Sequence, residues 1–95
     1  MGYCVYILHS AILSRFYTGY TSNFEIRAAF HSNADLRKFT YRADDWMLFL
    51  RIDCDSKEQA IAIEKHIKRM KSSVYIRNLN KYPEIVERLL KKYNQ

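Results

Sequence analysis

The sequence predicts a mixed α/β fold of the α+β kind, and three observations carry that expectation. Residues 3–8 and 16–20 alternate β-branched and aromatic side chains around a short stretch of small and polar residues, the pattern of a hairpin. Residues 46–54 form a third apolar run of strand length. Two capping-box patterns, Ser22-Asn23-Phe24-Glu25 and Ser56-Lys57-Glu58-Gln59, each precede a helical periodicity. With 95 residues, 48% of them hydrophobic, the chain is expected to form one domain, residues 1–95, around one core.

Each element follows from its own residues. Placing the hairpin centre between Ala11 and Ile12 sets Tyr6 directly opposite Tyr17, on one face of the sheet. Ile12 and Leu13 are unusually apolar for a turn, which suits a loop that packs back on the domain or meets another surface. From the first capping box a helix is expected over residues 23–31 or 23–32. Arg27 and His31 share one side of it, and Phe24, Ile26 and Phe30 supply its packing. Residues 33–45 lack periodicity and read as a loop whose Arg37, Lys38 and Arg42 suit a phosphate backbone. In the third strand Trp46, Leu48, Leu50 and Ile52 fall on one face and Met47, Phe49 and Arg51 on the other, both expected to be covered. The second capping box opens a helix with a buried stripe of Ala60, Ile63, Ile67 and Met70, and Glu64 lies one step round from Ile63. A short helix is expected over residues 74–79. Pro83 starts the last helix, with Ile85, Val86, Leu89, Leu90 and Tyr93 inward.

Charge and cysteine usage narrow the function. The formal net charge is +6, yet residues 1–56 carry six basic and six acidic groups. The remainder carries ten basic groups against four acidic ones, so all of the excess lies in the second half. Such asymmetry suits a polyanion, nucleic acid ahead of an acidic membrane surface, and it equally suits a solvated surface. Lys65, Lys68, Arg69 and Lys71 form its densest cluster. No run of about 18 apolar residues is present to span a membrane. Met1-Gly2-Tyr3-Cys4 lacks the charged start and long apolar stretch of a signal peptide, so a cytoplasmic location is expected. Cys4 and Cys54 stand singly in apolar segments, which fits buried free thiols rather than a disulfide or zinc site.

Tyr6, Tyr17-Thr18-Gly19, Arg27, His31 and Glu64 together make a spaced set of acid, base and phosphate-holding groups. Val5-Tyr6 followed by Tyr17-Thr18-Gly19, then Arg27 with His31 and later Glu64, resembles the GIY-YIG endonuclease superfamily, above all its small single-domain bacterial members. Phe39-Thr40 ahead of a Trp-led strand, and Glu64-Lys65-His66-Ile67-Lys68-Arg69-Met70-Lys71, extend the likeness from Tyr3 to about Leu79. Cys4 and Thr18 stand where the family often has glycine and isoleucine. Its frequent late asparagine has two candidates, Asn78 and Asn80.

The resemblance implies a three-stranded antiparallel sheet flanked by helices and metal-dependent hydrolysis of DNA phosphodiesters. A phosphodiester's anionic oxygens repel a nucleophile, so a catalyst needs a neutralising cation, a base for water and help for the leaving oxygen. Glu64 is then the sole protein ligand of Mg²⁺ or Mn²⁺. Arg27 holds a nonbridging oxygen. Tyr6 is the first candidate to take the proton of water, aided by Tyr17, His31 or a cation, and His31 shares that proton or binds phosphate. Gly19 is structural, keeping a side chain off the site so that the DNA backbone can approach.

Each residue also has an ordinary reading: a packed Tyr pair, an exposed helix face for Arg27 and His31, a surface Glu64–Lys68 pair contributing about 0.3–0.5 kcal/mol, and lysines for solubility. The joint spacing favours the nuclease. Two other classes stay open, a non-catalytic nucleic-acid-binding module of the same fold and a protein-interaction domain using Ile12-Leu13. With no appended base-reading motif in sight, recognition of branched, nicked or single-stranded DNA is expected ahead of a specific sequence, with a possible targeting protein or homodimer and a role in DNA repair or recombination.

Overall fold

The structure, a computed structural model, describes residues 2–22 and 45–94. The expected helix at residues 23–31, with Arg27 and His31, and the loop residues 33–44, with Arg37, Lys38 and Arg42, lie outside the described residues.

Three strands, β1 (Tyr3–Ser10), β2 (Arg15–Thr21) and β3 (Met47–Cys54), form an antiparallel sheet in the order β2-β1-β3. β1 is central, and its residues 4–8 are all buried. Alternation divides them between two faces. Val5 and Ile7, with Ile52 and Cys54 of β3, join the main core against the helices. Tyr6 and Leu8 form a second, smaller cluster with Tyr17 and Trp46 on the opposite face.

The hairpin register differs from the expected one by two residues. Tyr6 pairs with Gly19 and Tyr17 with Leu8, because the turn occupies residues 11–14 and the hairpin centre falls between Ile12 and Leu13. Polar contacts hold that turn. The Ser10 hydroxyl accepts from the Leu13 N–H at 3.1 Å, the Asp45 carboxylate accepts from the Ile12 N–H at 2.9 Å, and the Ser10 hydroxyl donates to Asp45 at 2.6 Å. Ser14 takes a left-handed φ of 51° and closes the turn through its N–H to the Ala11 carbonyl at 3.3 Å. A two-residue shift conserves the side-chain parity of a strand, so Tyr6 and Tyr17 remain on one face.

β3 departs from simple alternation at a bulge. Ile7 pairs with Leu50 while the next residue, Leu8, pairs with Leu48, leaving Phe49 as the extra residue. Phe49 therefore turns into the main core beside Phe16 and His9, away from the face that Arg51 shares with Tyr6. The expected coverage of both faces also fails, since Met47 is 72% exposed and Leu48 is exposed as well.

Helix α1 (Lys57–Met70) starts at Ser56, whose hydroxyl accepts from the Gln59 N–H at 3.1 Å. The reciprocal bond of the capping box shifts by one residue: Gln59 Oε1 accepts from the Asp55 N–H at 2.6 Å, and its Nε2 donates to the Leu90 carbonyl at 2.9 Å. Ala60, Ile63 and Ile67 are buried as expected, whereas Met70 is exposed where the chain leaves the helix through left-handed Lys71. Helix α2 (Ser73–Lys81) is capped by the Ser72 hydroxyl and buries Ile76 and Leu79. Helix α3 (Pro83–Lys92) turns Ile85, Val86, Leu89, Leu90 and Tyr93 to the core. No helix among the described residues is long and apolar enough to cross a membrane. Both cysteines are buried and outside any disulfide, and burial pushes the Cys54 thiol up to about 11, which suits an unreactive side chain.

Candidate active site

The sheet places the two tyrosines. Tyr6, 1% exposed in the central strand, and Tyr17 of β2 are diagonal neighbours with ring centroids 6.4 Å apart and planes inclined by 31°. Directly across from Tyr6, Gly19 serves its ring. A Cβ on Gly19 would stand 2.6 Å from the Tyr6 Oη and 2.7 Å from its Cζ. The room left by this glycine is thus filled by the phenol, a different reason for glycine from the expected approach of DNA.

On the other side of the sheet α1 packs against β1 and β2. β2 is an edge of the described sheet, and a groove of about 380 Å³ runs between it and the α1–α2 junction. Arg15, Phe16, Tyr17 and Thr18 line the β2 side, and Ile67, Lys68, Lys71, Ser73 and Ile76 line the helical side. Tyr17 borders this groove as a residue of the edge strand, while its ring lies with Tyr6 on the opposite face.

Glu64 lies within α1 at the margin of the buried stripe, its side chain 15% exposed and its carboxylate 3.6 Å from the Lys68 Nζ. That i,i+4 pair is the one the spacing predicts. Because Lys68 lines the groove, the carboxylate connects through it to the same cavity as Tyr17. Three of the expected site residues, Tyr6, Tyr17 and Gly19, are brought into one cluster, and Glu64 is outside the groove lining but paired with Lys68, which belongs to it.

The expected DNA-contacting residues divide. Lys68 and Lys71 line the groove, while Lys65 and Arg69 are exposed on α1 and are not among its lining residues. Arg69 instead bears on His66. The two ring nitrogens of His66 bond the hydroxyls of Tyr93 and Tyr75, each at 3.1 Å. Burial, then the charges of Lys92 and Arg69, hold the imidazole below its ordinary pKa, and burial raises that of Tyr75. Of the two late asparagines on α2, Asn78 is half-buried and Asn80 exposed.

Arg15 is the groove residue that sequence reasoning passed over. Its signal was a basic residue at the start of a strand with tyrosine two positions later, which carries no meaning until the helix is laid beside it. The polar links from Gln59 to α3 and from Asp45 to the hairpin span 31 and 33 residues and had no local signal.

Among the described residues, no group of three or more His, Cys, Asp or Glu is positioned to hold a metal ion. The chemistry offered by Glu64 is that of a single hard oxygen donor.

The sequence model of the GIY-YIG catalytic domain family matches residues 2–82. No curated protein and no solved structure matches the chain. The matched stretch takes in the whole sheet and helices α1 and α2, hence the tyrosine pair, Gly19, Glu64 and both sides of the groove. The chain belongs to the GIY-YIG family, whose catalytic domain is a nuclease acting on DNA.

Proposed function

We propose that this chain is a metal-dependent endonuclease that hydrolyses DNA phosphodiester bonds, directed by the shape of the DNA, such as a branch or nick, rather than by base sequence. The observation that carries this reading is that Tyr17 and Lys68, the ion-pair partner of Glu64, both line a basic groove at the edge of β2. Arg27 holds a nonbridging oxygen of the scissile phosphate through its planar donors, and His31 shares a proton or binds the phosphate. One phenol of the tyrosine pair takes the proton of the attacking water. Tyr6 is the first candidate, Tyr17 being the member that lines the groove. An isolated phenol, with a pKa near 10, is a poor base at neutral pH and depends on a neighbouring base or cation.

Glu64 fits Mg²⁺ or Mn²⁺ in donor type. It is a partly buried carboxylate beside the groove, and Mg²⁺ is commonly held by one or two carboxylates with its other positions left to water and phosphate. When bound, such an ion supplies charge neutralisation at the phosphate and acidifies a coordinated water. Arg37, Lys38, Arg42, Lys65, Lys68, Arg69 and Lys71 give the DNA its electrostatic footing. A cytoplasmic role in DNA repair or recombination, with a targeting protein or second copy supplying further specificity, completes the reading.

The test is nicking of supercoiled plasmid and of labelled branched DNAs in Mg²⁺, Mn²⁺ or EDTA, beside Glu64→Gln, Tyr6→Phe and Tyr17→Phe. Metal-dependent cleavage lost in Glu64→Gln is the expected result. Loss of at least about 100-fold in only one Phe variant identifies the base, in line with the usual contribution of general-base catalysis. Salt-sensitive binding without cleavage under any metal would instead make the chain a binding module.

A further inference from the structure

The geometry points to Arg15 and Lys71, on opposite sides of the groove at the β2 edge, as a phosphate clamp that holds one strand of the DNA backbone beside the cleavage point. This rests on the nuclease reading for its setting and on the groove for its content.

The lining is chemically one-sided. Arg15 comes from β2, Lys68 from α1 and Lys71 from the C-terminal cap of α1, so segments distant in sequence bring three basic residues to the lining of one cavity. Ser14, Thr18, Ser72 and Ser73 add hydroxyl groups, and no carboxylate occurs among the described residues that line it. A fourth cation, Arg77, lies with its guanidinium carbon 5.3 Å from the centroid of Phe16, itself a lining residue. Like charges gathered in this way repel, and their attraction to a polyanion grows for the same reason. Lys68 is partly neutralised by Glu64 at 3.6 Å, whereas Arg15 and Lys71 stand on the two sides of a cavity with no carboxylate among its described lining residues.

The apolar residues complete the fit. Phe16, Ile67 and Ile76 also line the groove, so the same space that presents cations and hydroxyls to phosphate offers apolar contact to a sugar. A positively charged groove with aromatic lining is a common means of tracking a single nucleic-acid backbone. About 380 Å³ is the space of a small-ligand pocket, enough for part of one strand. Tyr17 belongs to the lining and to the tyrosine pair, so a strand held between Arg15 and Lys71 runs along the β2 edge that carries one member of that pair.

The test measures binding in EDTA, where metal-dependent cutting does not intervene. Labelled single-stranded DNA and the same sequence as duplex are titrated at several salt concentrations with wild type, Arg15→Gln, Lys71→Gln, Arg15→Lys and, as an equal charge loss on exposed α3, Arg88→Gln. Circular dichroism checks that each variant is folded. Arg15→Gln and Lys71→Gln are each expected to weaken binding of the single strand roughly 3- to 10-fold and to lower its salt slope by about 0.7. Arg15→Lys keeps the slope, and Arg88→Gln leaves it within error. Equal slopes for wild type and the two groove variants, or the same loss in Arg88→Gln, would overturn the clamp. The nuclease reading fails separately: a groove-dependent slope with no metal-dependent nicking sinks the nuclease and leaves the clamp, whereas Glu64-dependent nicking with unchanged slopes does the reverse.

Discussion

Replacing Gly19 by alanine tests the packing at the centre of the candidate site. The added Cβ would lie 2.6 Å from the Tyr6 Oη, 2.7 Å from Cζ and 3.2 Å from Cε1. Comfortable carbon contacts are about 3.5–4.0 Å, so the ring must retreat by about 1 Å. Little room exists for that, because Tyr6 is 1% exposed and packed with Leu8, Tyr17 and Trp46. One surplus methyl in a filled site costs about 1–3 kcal/mol. Against this, alanine restricts the unfolded chain and returns about 0.4–1 kcal/mol, available here because Gly19 does not occupy a positive φ. A net loss of about 1–2 kcal/mol lowers the melting temperature by about 4–16 °C in a domain of this size. Thermal melts followed by circular dichroism read that shift. A second background isolates the cause: in Tyr6→Leu, whose side chain lacks Cζ and Oη, Gly19→Ala should cost at least about 1 kcal/mol less. An equal cost in both backgrounds, or no cost in either, refutes the steric argument.

Gln59→Ala removes the acceptor of the Asp55 N–H and the donor to the Leu90 carbonyl at a residue 2% exposed, so a loss of about 2 kcal/mol is expected in urea unfolding. A cost within 0.5 kcal/mol of zero, roughly that of an ordinary surface change, would contradict it. His66 has a folded-state pKa held below its ordinary value, so the unfolded chain binds the proton more readily. Its contribution is fully present above the unfolded pKa of about 6.5 and is lost as pH falls through the lower folded value. Denaturation midpoints taken from pH 8 down to about pH 5 should therefore decline more in wild type than in His66→Gln, and parallel curves would show that the Tyr75–His66–Tyr93 contacts are not coupled to stability. The Asp45 carboxyl is held below its ordinary range, first by the Ser10 hydroxyl and then by the Ile12 N–H, giving a stabilisation present above the unfolded pKa of about 3.9 and lost as pH falls through the folded value. Asp45→Asn should remove that acid-side dependence and speed amide exchange at Ile12; unchanged exchange would count against the latch.

The elements were legible where their causes are local. Ser56 and Ser72 cap the helices that follow them through bonds to the third residue along, and Pro83 opens α3 at the position where a missing N–H costs nothing. The inward residues of α3 follow from helical spacing alone. The hairpin register did not follow, because Asp45, 33 residues from Ile12, helps to hold the turn. Nor did the bulge at Phe49: residues 46–50 are Trp, Met, Leu, Phe and Leu, so the sequence has no polar residue there to mark a change of face. Met70 continued the apolar spacing of α1 and is nonetheless exposed, since the helix ends there.

By itself the sequence determined that Tyr6, Tyr17 and Gly19 share one face of a hairpin and that Glu64 sits on the shoulder of an amphipathic helix. Strand parity and helical periodicity are properties of neighbouring residues, and an error of two positions in register leaves parity intact. Only the tertiary structure decided that Gly19, not Tyr17, lies across from Tyr6, and that Arg15 faces Lys68 and Lys71 across a groove. The second relation joins residues roughly fifty positions apart. The groove is set by how α1 lies against the sheet, which depends on the packing of Ile63 and Ile67 against the strands rather than on any spacing along the chain.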